Sequence, residues 1–440
     1  MSSTRVARGP WRVLVGGTLM VVEEQPRPHE ETNARRFIIF TALAGVTEGG
    51  IVAYLPVMLA RMGANAATVS MLNSGLALAI IGTALPSGPM VARQKNLVPF
   101  MSWWILAIRA IFVAIALVPF VSGWWVPLVI VGLWSLHGIP AAIVNNGIFG
   151  VLAEAVSARR RPKLNGVRWG LFGLVAAAVT GIFGYSLDLL PFPLGYQLIF
   201  LFSGVTGAIG VIFFRGIVID PIVLEASRPA PRLNRYLDLL WPRRAGRDFL
   251  EFQILTTILR LGIHIPIGLF SIFWVNELQA TDTWIGIRST VANGGLVAGY
   301  FGWTWISARI GPRWTLGVSS AGMALFPGLT ALGPTIEWML PAALAWGIFV
   351  AGIDFALVEG LLRACPRDRR AELVAVHQFQ ANVVLFIAPL LGAWVAELTS
   401  IRTAMLVAVV FHGAVLVAVA LMRSTYAATP ENAASNEAAG

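Results

Sequence analysis

Residues 37–60 read FIIFTALAGVTEGGIVAYLPVMLA, and Glu48 is the one charged side chain among them. About 20 apolar residues in helical form cross a bilayer core, so this stretch reads as a membrane span. Working outward, eleven further stretches have the same character, at 66–91, 97–120, 125–156, 164–188, 195–217, 250–276, 283–308, 313–333, 338–362, 371–397 and 401–422. Lipid cannot hydrogen-bond an open backbone, so each crossing is expected to be a helix. The fold class that follows is an all-α membrane protein with twelve transmembrane helices, and the lipid bilayer is its first partner.

The composition agrees. The 440-residue chain is 57% hydrophobic and 12% charged, about half the charged fraction of a soluble domain. The single cysteine, Cys365, excludes an internal disulfide framework. The net charge of +10 would suggest nucleic acid in a soluble protein. Here the cations are spread over six separate segments instead of one face, and no nucleic-acid partner is expected. Arg5, Arg8, Arg12, Arg27, Arg35 and Arg36 precede the first crossing, and Arg93 and Lys95 follow the second. Arg159, Arg160, Arg161 and Lys163 follow the fourth, and six Arg between Arg228 and Arg247 follow the sixth. Arg309 and Arg313 follow the eighth, and Arg363, Arg367, Arg369 and Arg370 follow the tenth. The odd-numbered loops hold only Arg61 and Arg402. Cationic loops stay in the cytoplasm, so both termini are expected inside the cytoplasmic membrane.

Residues 1–36 form an N-terminal cytoplasmic segment. Its apolar run Val13–Val22 is too short to span and has no small-residue cleavage site ahead of Glu23 and Glu24, so it reads as an interfacial segment or as an early start codon. Residues 37–218 and 250–423 are expected to be two six-helix bundles, with 219–249 a cytoplasmic linker and 424–440 a disordered tail. Within the linker, Leu233–Trp241 has the spacing of a short helix lying on the membrane surface. The halves echo each other at a shift of 209. Arg161 falls on Arg370, Leu164 on Leu373, Val167 on Val376 and Asp188 on Glu397, while Gly138 falls on Gly347 and Asn145 on Asp354. A parallel six-plus-six repeat marks one transporter architecture.

Arg309-Ile310-Gly311-Pro312-Arg313, after crossing 8, resembles the R-x-G-x-R core of the inner-loop signature of the major facilitator superfamily. Its first-half counterpart keeps Gly88 and Arg93. Both copies have Ala, at Ala92 and Ala308, where the family has an acid. On crossing 4 the family's proton-linked Arg is replaced by Trp134, ahead of His137 and Gly138, and the Pro-containing antiporter signature of crossing 5 is missing. The resemblance spans about residues 37–423 and implies two pseudo-symmetric bundles around a cavity lined by helices 1, 4, 7 and 10. Proton coupling and transport direction do not follow from it.

Ionisable groups are expensive inside a bilayer and suggest function by default. Crossing 1 carries Glu48, crossing 4 Asn145 and Asn146, crossing 7 Arg260 and His264, and crossing 10 Asp354. At 1.5 Å per residue, Glu48, Asn145, Arg260 and Asp354 each lie roughly 12–18 Å from the inner face, in one layer near the midplane. Glu48, followed by Gly49 and Gly50, reads as a proton or cation site, or as an ion pair with Arg109 of crossing 3. Arg260 reads as an anchor for an anionic group or as the partner of Asp354. Asp354 is a coupling carboxylate or a neutralised one. His377, Gln378, Gln380 and Asn382 of crossing 11 are expected either to line the cavity or to join helices. Arg168, near the inner surface, is expected to snorkel. Arg288 and Asn293 are placed along the outer half of the cavity. The sixteen Trp residues read chiefly as interface anchors, a Trp-lined pocket being the sharper alternative.

The phosphate loop G-x-x-x-x-G-K-[ST] is absent, as are G-x-S-x-G and any His/Cys spacing suited to a metal, so no enzyme activity, cofactor or metal is expected. The function expected is secondary active transport of a small molecule by a monomer. Export of an apolar or cationic compound coupled to protons stands first. Uptake of an anionic metabolite, or a non-transporting membrane assembly factor or sensor, are the alternatives.

Overall fold

The computed structural model describes residues 12–15, 18–21, 29–120, 123–157, 159–219, 246–366 and 370–422, the first two segments as backbone only. The linker helix expected at Leu233–Trp241 and the tail 424–440 lie outside the described residues. Arg12–Val15 and Thr18–Val21 pair as an antiparallel hairpin, β1 and β2.

Apolar runs set the rest. The helices are α1 (Glu30–Arg61), α2 (Ala66–Ala92), α3 (Leu97–Phe120), α4 (Val126–Ala155), α5 (Arg161–Leu189), α6 (Leu194–Arg215) and α7 (Arg247–Glu277). The helical stretch Asp282–Leu332 is far longer than a bilayer needs. It breaks at Gly311, whose φ of 74° and ψ of 166° belong to a region that essentially only glycine enters. That break separates α8 (282–310) from α9 (312–332). Then come α10 (Ile336–Ala364), α11 (Arg370–Leu398) and α12 (Ile401–Leu421). The crossings expected from the sequence are all present. α1 starts seven residues before the expected edge, at Glu30, because that buried side chain is anchored: its Oε1 accepts from Ser157 N at 2.9 Å and from Ser157 Oγ at 2.6 Å.

Short connections start helices with side-chain caps. Asn65 accepts from Thr68 N at 2.9 Å ahead of α2, and Ser400 accepts from Thr403 N at 3.1 Å ahead of α12. Both lie at the Arg-poor end of the bundle, opposite the Arg-rich loops.

The two halves repeat one packing scheme. α1 lies on α5 and α6, as α7 lies on α11 and α12; α2 packs on α4, as α8 packs on α10. Gly138 abuts the Leu76 carbonyl, and Gly347, its repeat mate, abuts that of Ala292. α1 and α7 both leave regular helix after 18 residues, α1 through a wide turn at Glu48–Val52 and α7 through a turn at 265–268. The halves meet through α2 with α11, α5 with α8, and α1 with α7.

The apolar core divides unequally. Near the Arg-poor end, Leu55, Met58 and Leu59 of the first half form one cluster with Phe270, Phe273 and Ile285 of the second. Toward the Arg-rich end, Phe37, Met101, Val151 and Phe214 form a separate cluster made of first-half residues alone. Phe249, Cys365, Leu373 and Val376 form a small one of second-half residues alone. Burial there pushes the Cys365 thiol above its ordinary pKa, against a smaller opposing effect of Arg370, so a reactive thiolate is disfavoured.

Candidate functional site

The polar groups expected near the midplane hang on helices whose apolar faces are already committed. On α1, Gly45 and Gly49 press against α5, and Gly50 meets Ser203 of α6. Glu48 remains exposed in this setting, on a helix contacted by α5, α6 and α7. It makes no hydrogen bond or ion pair among the described residues. The expected partner Arg109 turns elsewhere. Its Nη1 donates to Thr47 Oγ1 at 3.2 Å, and its guanidinium faces the Phe112 ring at 5.6 Å. Thr47 in turn donates to Ser203 O at 3.3 Å, so the Arg109 charge ties α3 to α1 and α6.

Arg260 and Asp354 do not pair either. Arg260 Nη2 lies 3.1 Å from His377 Nε2 of α11. A guanidinium can only donate, so Nε2 accepts and the ring proton sits on Nδ1. That proton is directed to Gln253 Oε1, and the Gln253 amide donates to Gln380 Oε1. Arg260, His377, Gln253 and Gln380 thus form one relay of donors and acceptors joining α7 to α11. Asp354 instead accepts from Tyr300 Oη of α8 at 2.7 Å. Asn146 donates to Ser87 Oγ of α2 at 2.6 Å, while Asn145 is exposed. Asn382 folds back onto Gln378 O of its own helix at 2.9 Å. His264 Nδ1 is buried and has no hydrogen-bond partner among the described residues. Arg168 does not snorkel: it is buried beside the Phe37 ring at 5.8 Å.

The inner-loop residues divide by role. Gly311 makes the break described above, and Arg313 reaches across to donate to Val419 O of α12. Arg309 stacks on Trp305 with its guanidinium carbon 3.4 Å from the ring centre. Gly88 lies inside α2, in ordinary helix with open space beside it, and Arg93 is exposed just past the helix end.

A second polar cluster, not expected from the sequence, joins the halves at the Arg-poor end. Arg61 at the end of α1 donates from Nη2 to Asp282 Oδ1 at 3.0 Å and to Ala280 O at 2.9 Å. Tyr196 of α6 donates to the same carboxylate oxygen at 2.6 Å. Asp188, at the end of α5, accepts from the backbone N–H groups of Asp282 and Thr283, both at 2.8 Å. One half therefore supplies the anion that caps a helix of the other, where an anion is favoured by the unpaired N–H groups and the helix dipole. Gly184 allows the contact, since a Cβ there would meet Asp282 O at 2.4 Å. Sequence held part of this signal, in the acid Asp188 at a helix end and in Arg61 as one of two odd-loop cations. Gln253 was legible too, seven residues before Arg260 on the same helix face.

These features define a twelve-helix membrane protein of two matched bundles, tied together at the Arg-poor end by the Arg61–Asp282 cluster. Residues 252–440 match the family model described as Major Facilitator Superfamily. Among solved structures, the nucleoside transporter NupG is similar with a TM-score of 0.70 at 12% identity, covering 89% of this chain and 100% of that one. A POT family transporter in complex with 5-aminolevulinic acid aligns with a TM-score of 0.69 at 10% identity, covering 88% and 94%. A bacterial homologue of the iron transporter ferroportin, in its inward-facing state, aligns at 0.65 and 16%, covering 89% and 99%. No curated protein sequence matches this chain. The second half of the chain thus resembles that family in sequence, and the whole chain has the fold of these solved transporters.

Proposed function

We propose that the protein is a secondary carrier that moves a small molecule across the cytoplasmic membrane by alternating access, its Arg-rich end and both termini in the cytoplasm. The observation that carries this reading is the unequal contact between halves. One shared apolar core and the Arg61–Asp282 cluster close the Arg-poor end, while the first half keeps a separate core toward the other. The two bundles, 37–218 and 250–423, are the moving bodies in this reading. Glu48 is the site that binds a proton or a cationic cargo, because it has no cation beside it among the described residues. Proton-coupled export of an apolar or cationic compound is the direction it favours. Arg260 supports a second reading, uptake of an anion, because its neighbours are neutral.

The test is flux in proteoliposomes under an imposed pH gradient, with a panel of cationic and anionic solutes that includes a nucleoside and 5-aminolevulinic acid. Gradient-driven flux of a cation, abolished by Glu48→Gln, is the expected result. Flux that survives Glu48→Gln but is lost in Arg260→Gln selects the anion reading. A panel with no flux and no ligand-induced thermal stabilisation would sink both and favour a non-transporting role.

A further inference from the structure

A cavity of about 220 Å³ lies in the second half, lined by α7, α8, α9, α10 and α12. Its wall includes Pro266, Phe270, Trp274, Phe326 and Trp346, and one cation, Arg288. Phe270 stacks on Trp274 at 5.7 Å and lies 4.4 Å from Phe326. The Arg288 guanidinium sits 4.1 Å from the Trp274 ring centre and 5.7 Å from that of Phe326. No carboxylate lines the cavity, and Arg288 has no hydrogen-bond or ion-pair partner among the described residues. Its Nε and the Trp274 indole N–H are both buried and unsatisfied. Ser271 and His412 are the other polar side chains on the wall, and the His412 ring already has Ser320 Oγ 3.2 Å from its Nδ1.

A guanidinium held among rings gains from their faces, yet a buried cation without a counter-charge is costly. Unsatisfied donors on an otherwise aromatic wall ask for an acceptor with an apolar body. The space suits such a molecule, since a cavity of roughly 150 Å³ is enough to hold a benzene ring. The place matters as well. The wall takes Gly262 before the turn in α7, Pro266 and Ile267 within it, and Phe270 and Trp274 beyond it. An occupant touches both sides of that break.

We propose that this cavity is a second ligand site, distinct from the polar layer between the halves, for a small aromatic carboxylate or a similar apolar monoanion. Its carboxylate pairs with Arg288 and its ring stacks among Phe270, Trp274 and Phe326. The proposal stands apart from the carrier reading and survives if no transported solute is found.

The test uses the full-length protein in detergent, with benzoate as probe and benzylamine as its cationic mimic, read by thermal unfolding and tryptophan fluorescence. Benzoate is expected to raise the unfolding temperature saturably and to quench fluorescence, and benzylamine to do neither. Arg288→Gln should weaken benzoate binding by at least about tenfold, a loss near 1.4 kcal/mol. Arg288→Lys keeps the charge, so it should still prefer benzoate to benzylamine, and it decides the matter should the Gln variant fail to fold. Glu48→Gln and Arg260→Gln should bind benzoate as the wild type does. Equal binding by wild type and Arg288→Gln, absence of a saturable response, no preference in Arg288→Lys, or loss of binding in Arg260→Gln alone would each overturn the proposal.

Discussion

Arg161 and Arg370 stand 209 residues apart and make the same bond. Arg161 Nη2 donates to Ala153 O at 2.6 Å, and Arg370 Nη2 donates to Leu362 O at 3.2 Å. The accepting carbonyls are also 209 residues apart, each eight residues before its Arg. The Arg thus closes the loop after α4 in one half and after α10 in the other. Arg161 adds a bond from Nε to Val156 O at 2.8 Å. Arg161→Ala should therefore cost about 2 kcal/mol, and Arg370→Ala about half of that. Thermal unfolding in detergent checks the order, and a larger loss for Arg370→Ala would refute it.

Asp282 is nearly buried while Arg61 is about one-quarter exposed at the side chain, so their pair is partly desolvated. Asp282→Ala removes the counter-charge of Arg61, which keeps its bonds to Ala280 O and Tyr196 Oη, and removes the acceptor of Tyr196. The expected loss is about 2 kcal/mol of contact between the halves, below the range for fully buried pairs. With Cys365→Ser as background, spin labels at Trp124 and Thr335, both exposed near the Arg-poor end, should report longer distances in the variant. An unchanged distance distribution would show that the apolar cluster alone holds that end.

Asp188 bonds two backbone N–H groups of α8. Asp188→Ala should cost about 1 kcal/mol, the usual worth of a helix cap, and Asp188→Asn less. Because it adjoins Asp282, the two losses should fall short of additive in the double variant, as unfolding of the four proteins of the cycle would reveal.

Gly311 and Gly88 belong to the two copies of the inner-loop motif, at different motif positions and in different backbone. Gly311→Ala forces a Cβ into a strained region, at a cost of about 1–3 kcal/mol. Gly88→Ala sits in open helix and should be neutral or stabilising, by up to about 1 kcal/mol. Comparable losses at both positions would contradict the backbone described here.

The relay from Arg260 to Gln380 should act as a unit. Arg260→Gln and His377→Ala are expected to be non-additive by roughly 1 kcal/mol in a double-mutant cycle of thermal stability. Strict additivity would mean that the Arg260–His377 contact carries no coupling.

The twelve crossings were legible because lipid imposes a length and a polarity on every one of them. The same constraint sets the expected depth of each polar group, since rise per residue is fixed. Rotation about each helix axis was not legible. Thr47 and Glu48 are neighbours in sequence, but one step turns a helix by about 100°, and Arg109 meets the first rather than the second. Likewise Arg260 and Asp354 are expected at one depth, yet the directions of their side chains give them to His377 and Tyr300. The break at Gly311 could be read from the motif and its following proline. The Arg61–Asp282 contact could not, because it joins residues 221 apart whose meeting depends on how two bundles lean together.

The shared core near the Arg-poor end is built from side chains such as Leu55, Met58, Phe270 and Phe273, which offer water no partner. A file of water molecules does not thread such a layer, so it acts as an electrical insulator. In the proposed carrier, with the opposite end open to water, the membrane voltage would fall mostly across that seal, and a charge bound at Glu48 would have crossed little of the field. Carrying it past the seal would then be the step on which voltage does its work, about 2.3 kcal/mol per charge for each 100 mV.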